Sequence, residues 1–388
     1  MNKNITESVV YIGVDDKYLG LFESQYDVPN GISYNSYLIK DEKIVIMDSV
    51  DSRETYRWFE NLEKALDGKR PDYIVVSHAE PDHSGSLKAL LDKYPEIKVV
   101  GNAKTFAMLG QFLDVNIGEK AVTVKEGDTL ATGKHTLKFF TAPMVHWPEV
   151  MVTFDTTDKI VFTADAFGKF GTLDIEEEWD CEARRYYFNI VGKYGAQVQT
   201  LLKKLEAGKY EINTLAPLHG PVLTENIPYY IEKYSVWSSY EPEDKGVTIA
   251  YASIHGNTGE AARKLEELLK AKGVEKVSVF DLSRDDIAEA VEDAFRYDRL
   301  VLAAASYDGG VFTPMVDFLN RLASKNYQKR KIALVENGTF APTAARTMRG
   351  IVEKFKDVTI SNNVVSFKST LKESDLPNLE KLAEELSK

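Results

Sequence analysis

The chain has 388 residues, a formal net charge of −12 and a single cysteine, Cys181. That length suits two domains better than one core. The acidity excludes a non-specific nucleic-acid binder, which needs clustered Lys and Arg, and one cysteine excludes a disulfide framework or a Cys-rich zinc or iron–sulfur site. Cys181 reads as a small, partly buried residue. The N-terminus, MNKNITESVV, has no apolar signal core, and no apolar run is long enough for a bilayer, so a cytoplasmic protein without a membrane partner is expected.

In chain order, residues 33–39 and 43–47 read as neighbouring strands, 53–66 as a helix and 73–77 as a buried strand. Further strands are expected at 99–101, 137–141, 150–154 and 159–162. Strands with interspersed helices suggest an α/β sandwich with its helices outside. A helix over about 228–237 is followed by the polar, turn-rich segment 240–246, which sets the expected domains at 1–245 and 246–388. Beyond it the pattern is regular. Strands are expected at 247–252, 277–281, 300–305, 332–335 and 364–367, and helices at 259–272, 287–295, 314–323 and 342–355, with a charged helix running to the end. Short apolar strands alternating with helices point to a doubly wound parallel sheet, whose ligands bind at loops leaving the carboxyl ends of strands.

The strand at 73–77 runs into His78-Ala79-Glu80-Pro81-Asp82-His83, four metal-ligating side chains within six residues. Alternation along an extended loop would send His78, Glu80 and Asp82 to one side. Histidine and carboxylate mixtures suit first-row transition metals, and a carboxylate can bridge two of them. His146 opens His146-Trp147-Pro148-Glu149, Asp165 ends Val161-Phe162-Thr163-Ala164-Asp165, and His219 ends Leu215-Ala216-Pro217-Leu218-His219. Each sits where a short strand stops, so a sandwich can gather them at one rim. His135 lies in a polar turn and reads as solvated. His255 reads as a neighbour of the next site and not as a ligand.

In the second half, strand 247–252 leads into Ser253-Ile254-His255-Gly256-Asn257-Thr258 and then a helix. Hydroxyl and amide groups beside backbone N–H groups at a helix N-terminus cradle an anion. The lysine of a nucleoside-triphosphate loop is missing, so a single phosphate fits better. Two further strand ends carry Ser306-Tyr307-Asp308-Gly309-Gly310 and Asn337-Gly338-Thr339-Phe340. Glycines let backbone approach a flat ring, and Tyr307 and Phe340 can stack on one. Three such loops on one sheet resemble flavodoxin.

The order His-x-Glu-x-Asp-His, then His, Asp and His, resembles the metallo-β-lactamase superfamily, whose zinc hydrolases mostly carry histidine where this chain has Glu80. An added carboxylate is a harder ligand that favours iron. With Glu80, and with the flavin loops behind it, the chain resembles the flavodiiron proteins over nearly its whole length. That resemblance implies a metallo-β-lactamase-like αββα sandwich followed by a flavodoxin-like domain, with two iron ions and flavin mononucleotide (FMN). It implies His78, Glu80 and His146 on one iron, Asp82, His83 and His219 on the other, and Asp165 bridging. It implies reduction of dioxygen to water, of nitric oxide to nitrous oxide, or of both. Transfer is expected within a head-to-tail homodimer or a dimer of dimers. No Cys-x-x-Cys segment follows the second domain, so the donor is expected to be separate, rubredoxin or a reductase. Phe340 stands where the family often has Trp, and Tyr194 is a candidate donor beside the metals. The competing reading is a zinc hydrolase with an appended flavodoxin-like domain; Glu80 and the three loops argue against it.

Overall fold

The computed structural model describes residues 4–115 and 117–388. The chain divides into two compact units, the first made of residues 1–187 with 196–235 and the second of 188–195 with 236–388.

The first unit is built on two sheets. One has six strands in the order Val9–Tyr11, Tyr37–Ile39, Val45–Met47, Tyr73–Val75, Lys98–Gly101 and Ala121–Thr123. The other has five, in the order Thr129–Ala131, Thr136–Thr141, Met151–Asp155, Ile160–Phe162 and Thr214–Ala216. Alternate residues of both sheets share a core: Tyr37 and Ile39, Val45 and Met47, and Val75 from the first, Phe139, Met151 and Phe162 from the second. The residues between them, Leu38, Ile46 and Ile74, are buried as well. Strands buried on both faces read as continuous apolar runs, because helices cover the outer face. Helix Thr55–Leu66 presents Trp58, Leu62, Ala65 and Leu66 as its buried side, and helix Leu87–Lys93 presents Leu87, Leu90 and Leu91.

Pairing direction fixes the rim where ligands collect. Ile160–Phe162 runs parallel to Thr214–Ala216 and antiparallel to Met151–Asp155, which is in turn antiparallel to Thr136–Thr141. The carboxyl ends of Thr136–Thr141, Ile160–Phe162 and Thr214–Ala216 therefore share one edge. The N–H of Met151 donates to the carbonyl of Ser77 at 3.0 Å, which ties the end of Tyr73–Val75 to the second sheet there.

The second unit carries a parallel sheet in the order Val277–Asp281, Asp244–Ala252, Tyr297–Tyr307, Lys331–Asn337, with Thr359–Ile360 and Val365–Phe367 both pairing with Lys331–Asn337 on its outer side. This is the 2-1-3-4-5 order of doubly wound flavodoxin-like sheets. The third strand overruns the expected 300–305. It continues through Tyr307 because Asp308 (φ +47°) and Gly309 (φ +72°) form a two-residue turn that folds Gly310–Val311 back on it.

Three expectations are corrected. Residues 81–84 are not extended: Pro81 opens a one-turn helix, Pro81–Ser84, with Glu80 at its N-cap, and that turn brings His83 to the site side as well. His135 is buried, not solvated; Asp41 accepts its backbone N–H at 2.8 Å and Asp155 lies 2.7 Å from its Nδ1. Cys181 is exposed, because helix Trp179–Tyr186 turns Trp179, Ala183 and Tyr186 inward and leaves position 181 on the other side. Two tyrosines of the first unit that sequence did not single out, Tyr34 and Tyr186, meet His219.

Candidate functional site

All seven first-half candidates converge at the rim. His78, Glu80, His146 and Asp165 form one group, and Asp82, His83 and His219 a second. In the first, Glu80 Oε2 lies 3.0 Å from His78 Nε2 and 3.3 Å from His146 Nε2, and Asp165 Oδ2 lies 3.0 Å from His146 Nε2. In the second, Asp82 Oδ2 lies 3.2 Å from His83 Nε2 and 3.3 Å from His219 Nε2. Asp165 joins them: its Oδ1 turns to the second group, 3.1 Å from His83 Nε2. Donors bound to one first-row ion at about 2.1 Å sit about 3.0–3.4 Å from one another at octahedral or tetrahedral angles, which is the spacing seen here.

Unpaired atoms give an independent test of fit. Both oxygens of Asp82, both ring nitrogens of His83, Asp165 Oδ1 and His219 Nε2 are buried with no hydrogen-bond partner. His83 Nε2 and Asp165 Oδ1 are close enough for a hydrogen bond and are not aligned for one. Each orphan costs about 1–3 kcal/mol. Three carboxylates facing four imidazoles at close range are what a pair of cations satisfies.

Outer contacts aim the rings. Glu149 Oε1 accepts from His78 Nδ1 at 2.7 Å and from the Ala79 N–H at 2.9 Å, leaving His78 Nε2 for the cavity. Asn102 Nδ2 donates to the Glu149 carbonyl at 2.6 Å and holds that loop. His219 Nδ1 donates to the Ser33 carbonyl at 2.7 Å, while Ser33 Oγ accepts from the Gly220 N–H. Such partners fix the tautomer and orientation of a ligating histidine. Burial raises the Glu80 carboxyl, but His146 and His78 outweigh it and hold it down at about 2. Burial lowers the His146 imidazole, and hydrogen bonds to Asp165 and Glu80 override that and lift it to about 9. Phe22, Tyr34 and Tyr186 stand around His219 at centroid distances of 5.4, 5.9 and 5.5 Å, and Trp147 stands edge-on to His78 at 5.1 Å. The Tyr186 hydroxyl is buried without a partner, and burial and the carboxylates of Asp165, Asp82 and Glu80 push it well above the ordinary phenol range.

In the second unit the three expected loops leave the carboxyl ends of adjacent strands. Ser253, Ile254, His255 and Gly256 connect Asp244–Ala252 to the 15-residue helix Asn257–Ala271. Gly256 has φ +91°, a conformation side chains rarely adopt, and exposes the N–H groups of the first helical turn. In the same loop the Ser253 Oγ is buried and unpartnered, which fits an anion ligand. Asn337 holds the loops together through Thr258 Oγ1 at 3.4 Å and the Ser369 carbonyl at 2.9 Å. Ser306 Oγ accepts from the N–H groups of Thr343 and Ala344. Ile254, Tyr307 and Phe340 expose large apolar surfaces there, Phe340 at 93%. A fourth loop, missed from sequence, joins them: Ser369 Oγ meets Thr339 Oγ1, and Thr370 Oγ1 meets Asn257 Oδ1. Its only signal was a Ser-Thr pair just after the last short strand.

No helix among the described residues is long and apolar enough to cross a membrane. Residues 32–220 match the family model described as ODP family beta lactamase. The chain is 30% identical over 349 residues to the anaerobic nitric oxide reductase flavorubredoxin of Vibrio vulnificus (strain YJ016), covering 86% of this chain and 69% of that one. It superposes on rubredoxin oxygen:oxidoreductase from the anaerobe Desulfovibrio gigas with a TM-score of 0.93 at 21% identity, covering 100% of this chain and 98% of that one. On the flavodiiron protein from Giardia intestinalis the TM-score is 0.91 at 23% identity, with 100% and 96% covered.

Proposed function

Because this chain belongs to the flavodiiron protein family and is therefore an oxidoreductase, we propose that it reduces dioxygen to water, nitric oxide to nitrous oxide, or both, at a di-iron site in residues 1–245, with electrons passing through FMN held by residues 246–388. The observation that carries this reading is Asp165, a single carboxylate with one oxygen turned to each of two histidine–carboxylate groups. His78, Glu80 and His146 would hold one iron and Asp82, His83 and His219 the other, with Asp165 facing both groups. Three carboxylates make the set harder than an all-histidine one and favour iron over zinc. Ser253, Ile254, His255, Gly256, Asn257 and Thr258 would hold the FMN phosphate, and Ser306, Tyr307, Asp308, Gly309, Gly310, Asn337, Gly338, Thr339 and Phe340 would hold its ring.

When bound, iron and FMN supply the electrons that the gas consumes. The chain's own side chains do the rest. Glu149 and the Ser33 carbonyl hold His78 and His219 in register. Phe22, Tyr34 and Trp147 keep the cavity apolar beyond its ligands, which strengthens every charge interaction inside. Tyr186, whose buried hydroxyl has no partner, would donate a hydrogen bond to a substrate bound there. Rubredoxin, which the printed names of the relatives include, is the proposed donor, with a reductase as the other candidate. We carry over the head-to-tail homodimer, single or paired, as the assembly in which one chain's flavin serves its partner's metals.

The test is metal analysis followed by anaerobic reduction and separate mixing with dioxygen and nitric oxide. Iron near two per chain and turnover of at least one gas support the reading. A colourless, zinc-loaded protein that hydrolyses an ester or amide would remove it. Glu80→Ala should abolish most turnover while FMN stays bound; full turnover would take Glu80 out of the site.

A further inference from the structure

A file of oxidisable rings leads away from the metal-site loop within the first unit. Phe167, two residues past Asp165, has φ +67°. Tyr234 stacks on it at 4.1 Å and accepts the Phe167 N–H at its hydroxyl, and Trp179 Nε1 donates to the Phe167 carbonyl at 3.2 Å. From there the rings run on: Tyr234 to Trp179 at 6.4 Å, Trp179 to Tyr230 at 4.8 Å, and Tyr230 to Tyr229 at 5.4 Å. These are contact distances for aromatic pairs. The inner member, Tyr234, is fully buried, and the outer two are partly exposed. At the outer end the Tyr229 hydroxyl donates to Asp180 Oδ2 at 3.2 Å. A phenol loses an electron far more readily when a base takes its proton, and Asp180, which also faces Lys233 and Arg184, is the carboxylate within reach of Tyr229.

We propose that Tyr234, Trp179, Tyr230 and Tyr229 form an escape route that carries oxidising equivalents stranded at the metal site to the protein surface. This rests on the metal reading of that site. With hydrogen peroxide as the oxidant the step balances. An electron leaves each of two tyrosines and moves inward from ring to ring. Each phenol gives up its proton, that of Tyr229 to Asp180. One peroxide takes up two electrons and two protons and leaves as two waters, and two tyrosyl radicals remain. An external one-electron reductant such as ascorbate returns the phenols.

The test treats iron-loaded, FMN-containing protein with hydrogen peroxide, without an electron donor. Freeze-quench electron paramagnetic resonance and peptide mass spectrometry then read where the oxidation lies. In the unaltered protein a tyrosyl signal and oxygenated Tyr229 and Tyr230 are expected. Trp179→Phe, which keeps a ring but cannot relay, should cut modification of Tyr229 and Tyr230 several-fold and shift it to Tyr186 and the clustered histidines. Trp179→Tyr, which can relay, should restore the original map, separating relay from packing. Identical maps in all three proteins would overturn the proposal, as would the same map from metal-free protein. Failure to take up iron would instead defeat the metal reading.

Discussion

Glu149 Oε1 lies 2.7 Å from His78 Nδ1 at a point where neither side chain is reached by water. The contact spans 71 residues and decides which His78 nitrogen faces the cavity. Burial pushes the Glu149 carboxyl up, but the His78 contact prevails and holds it low, so the imidazole leans on a full negative charge. Glu149→Gln keeps the shape and removes that charge. Iron affinity, measured by chelator competition, should fall roughly 10–100-fold. Glu149→Ala should fall further, since it leaves the Ala79 N–H without its acceptor too. Unchanged affinity in both variants would mean that His78 does not bind metal through Nε2.

Ser253 offers a test of the second unit with two opposing readouts. Its buried hydroxyl has no partner, so it costs the empty protein stability. Ser253→Ala should leave the FMN-free protein as stable as before or more so, by up to about 1 kcal/mol. It should weaken FMN binding by roughly 10-fold or more, the value of one hydrogen bond to a charged group. Calorimetric melting of the FMN-free protein and fluorescence titration with FMN check the two halves. A variant that loses stability and keeps its FMN affinity would place the hydroxyl outside the phosphate cradle.

How much of this was legible in sequence depends on where each residue's partner lies. His78, Glu80, Asp82 and His83 are adjacent, and Asp165 and His219 each follow an apolar strand, so strand-end position alone suggested a common rim. Glu149 was visible inside its motif without a role, because its partner is 71 residues away. Ser33 was invisible as a site residue, since it acts through its backbone carbonyl on a ring 186 residues on. The turn at Pro81–Ser84 was mistaken for extended chain because alternation of ligand types outweighed the helix-start signal of Pro81. His135 looked solvated because its acceptors, Asp41 and Asp155, come from two other segments. Local pattern exposes elements and their ends; long-range anchors follow only from packing.

His135 gives a pH-dependent prediction clear of the metals. A hydrogen bond to Asp155 raises the His135 imidazole above its ordinary value, against the lowering effect of burial. A histidine raised on folding stabilises fully below its unfolded pKa, near 6.5, and loses that contribution as pH climbs through the folded value. Nδ1 still donates to Asp155 when the ring is neutral, so only the ionic part is lost. His135→Gln should therefore cost about 1–2 kcal/mol in mildly acid solution and less in alkaline solution. Urea unfolding of both proteins across that range checks it. A cost that grows with pH would show that the imidazole is neutral where it meets Asp155.

Tyr186 separates a packing role from a substrate-facing one. Its ring meets His219 at 5.5 Å and Phe170 at 5.1 Å, while its hydroxyl is buried and unpaired. Tyr186→Phe keeps both ring contacts and removes the hydroxyl alone. If the ring only packs, the variant should gain about 1 kcal/mol, the relief of an unsatisfied buried donor, with no change in turnover. If the hydroxyl reaches the substrate, the same gain should come with a turnover loss of roughly 10-fold or more at unchanged iron and FMN content, since a donor aimed at developing charge is worth more than one in water. Melting curves, cofactor content and gas consumption measured on one preparation distinguish the outcomes. Lost iron in this variant would mean that the hydroxyl serves the ligand set and not the substrate, and the donor role would fall.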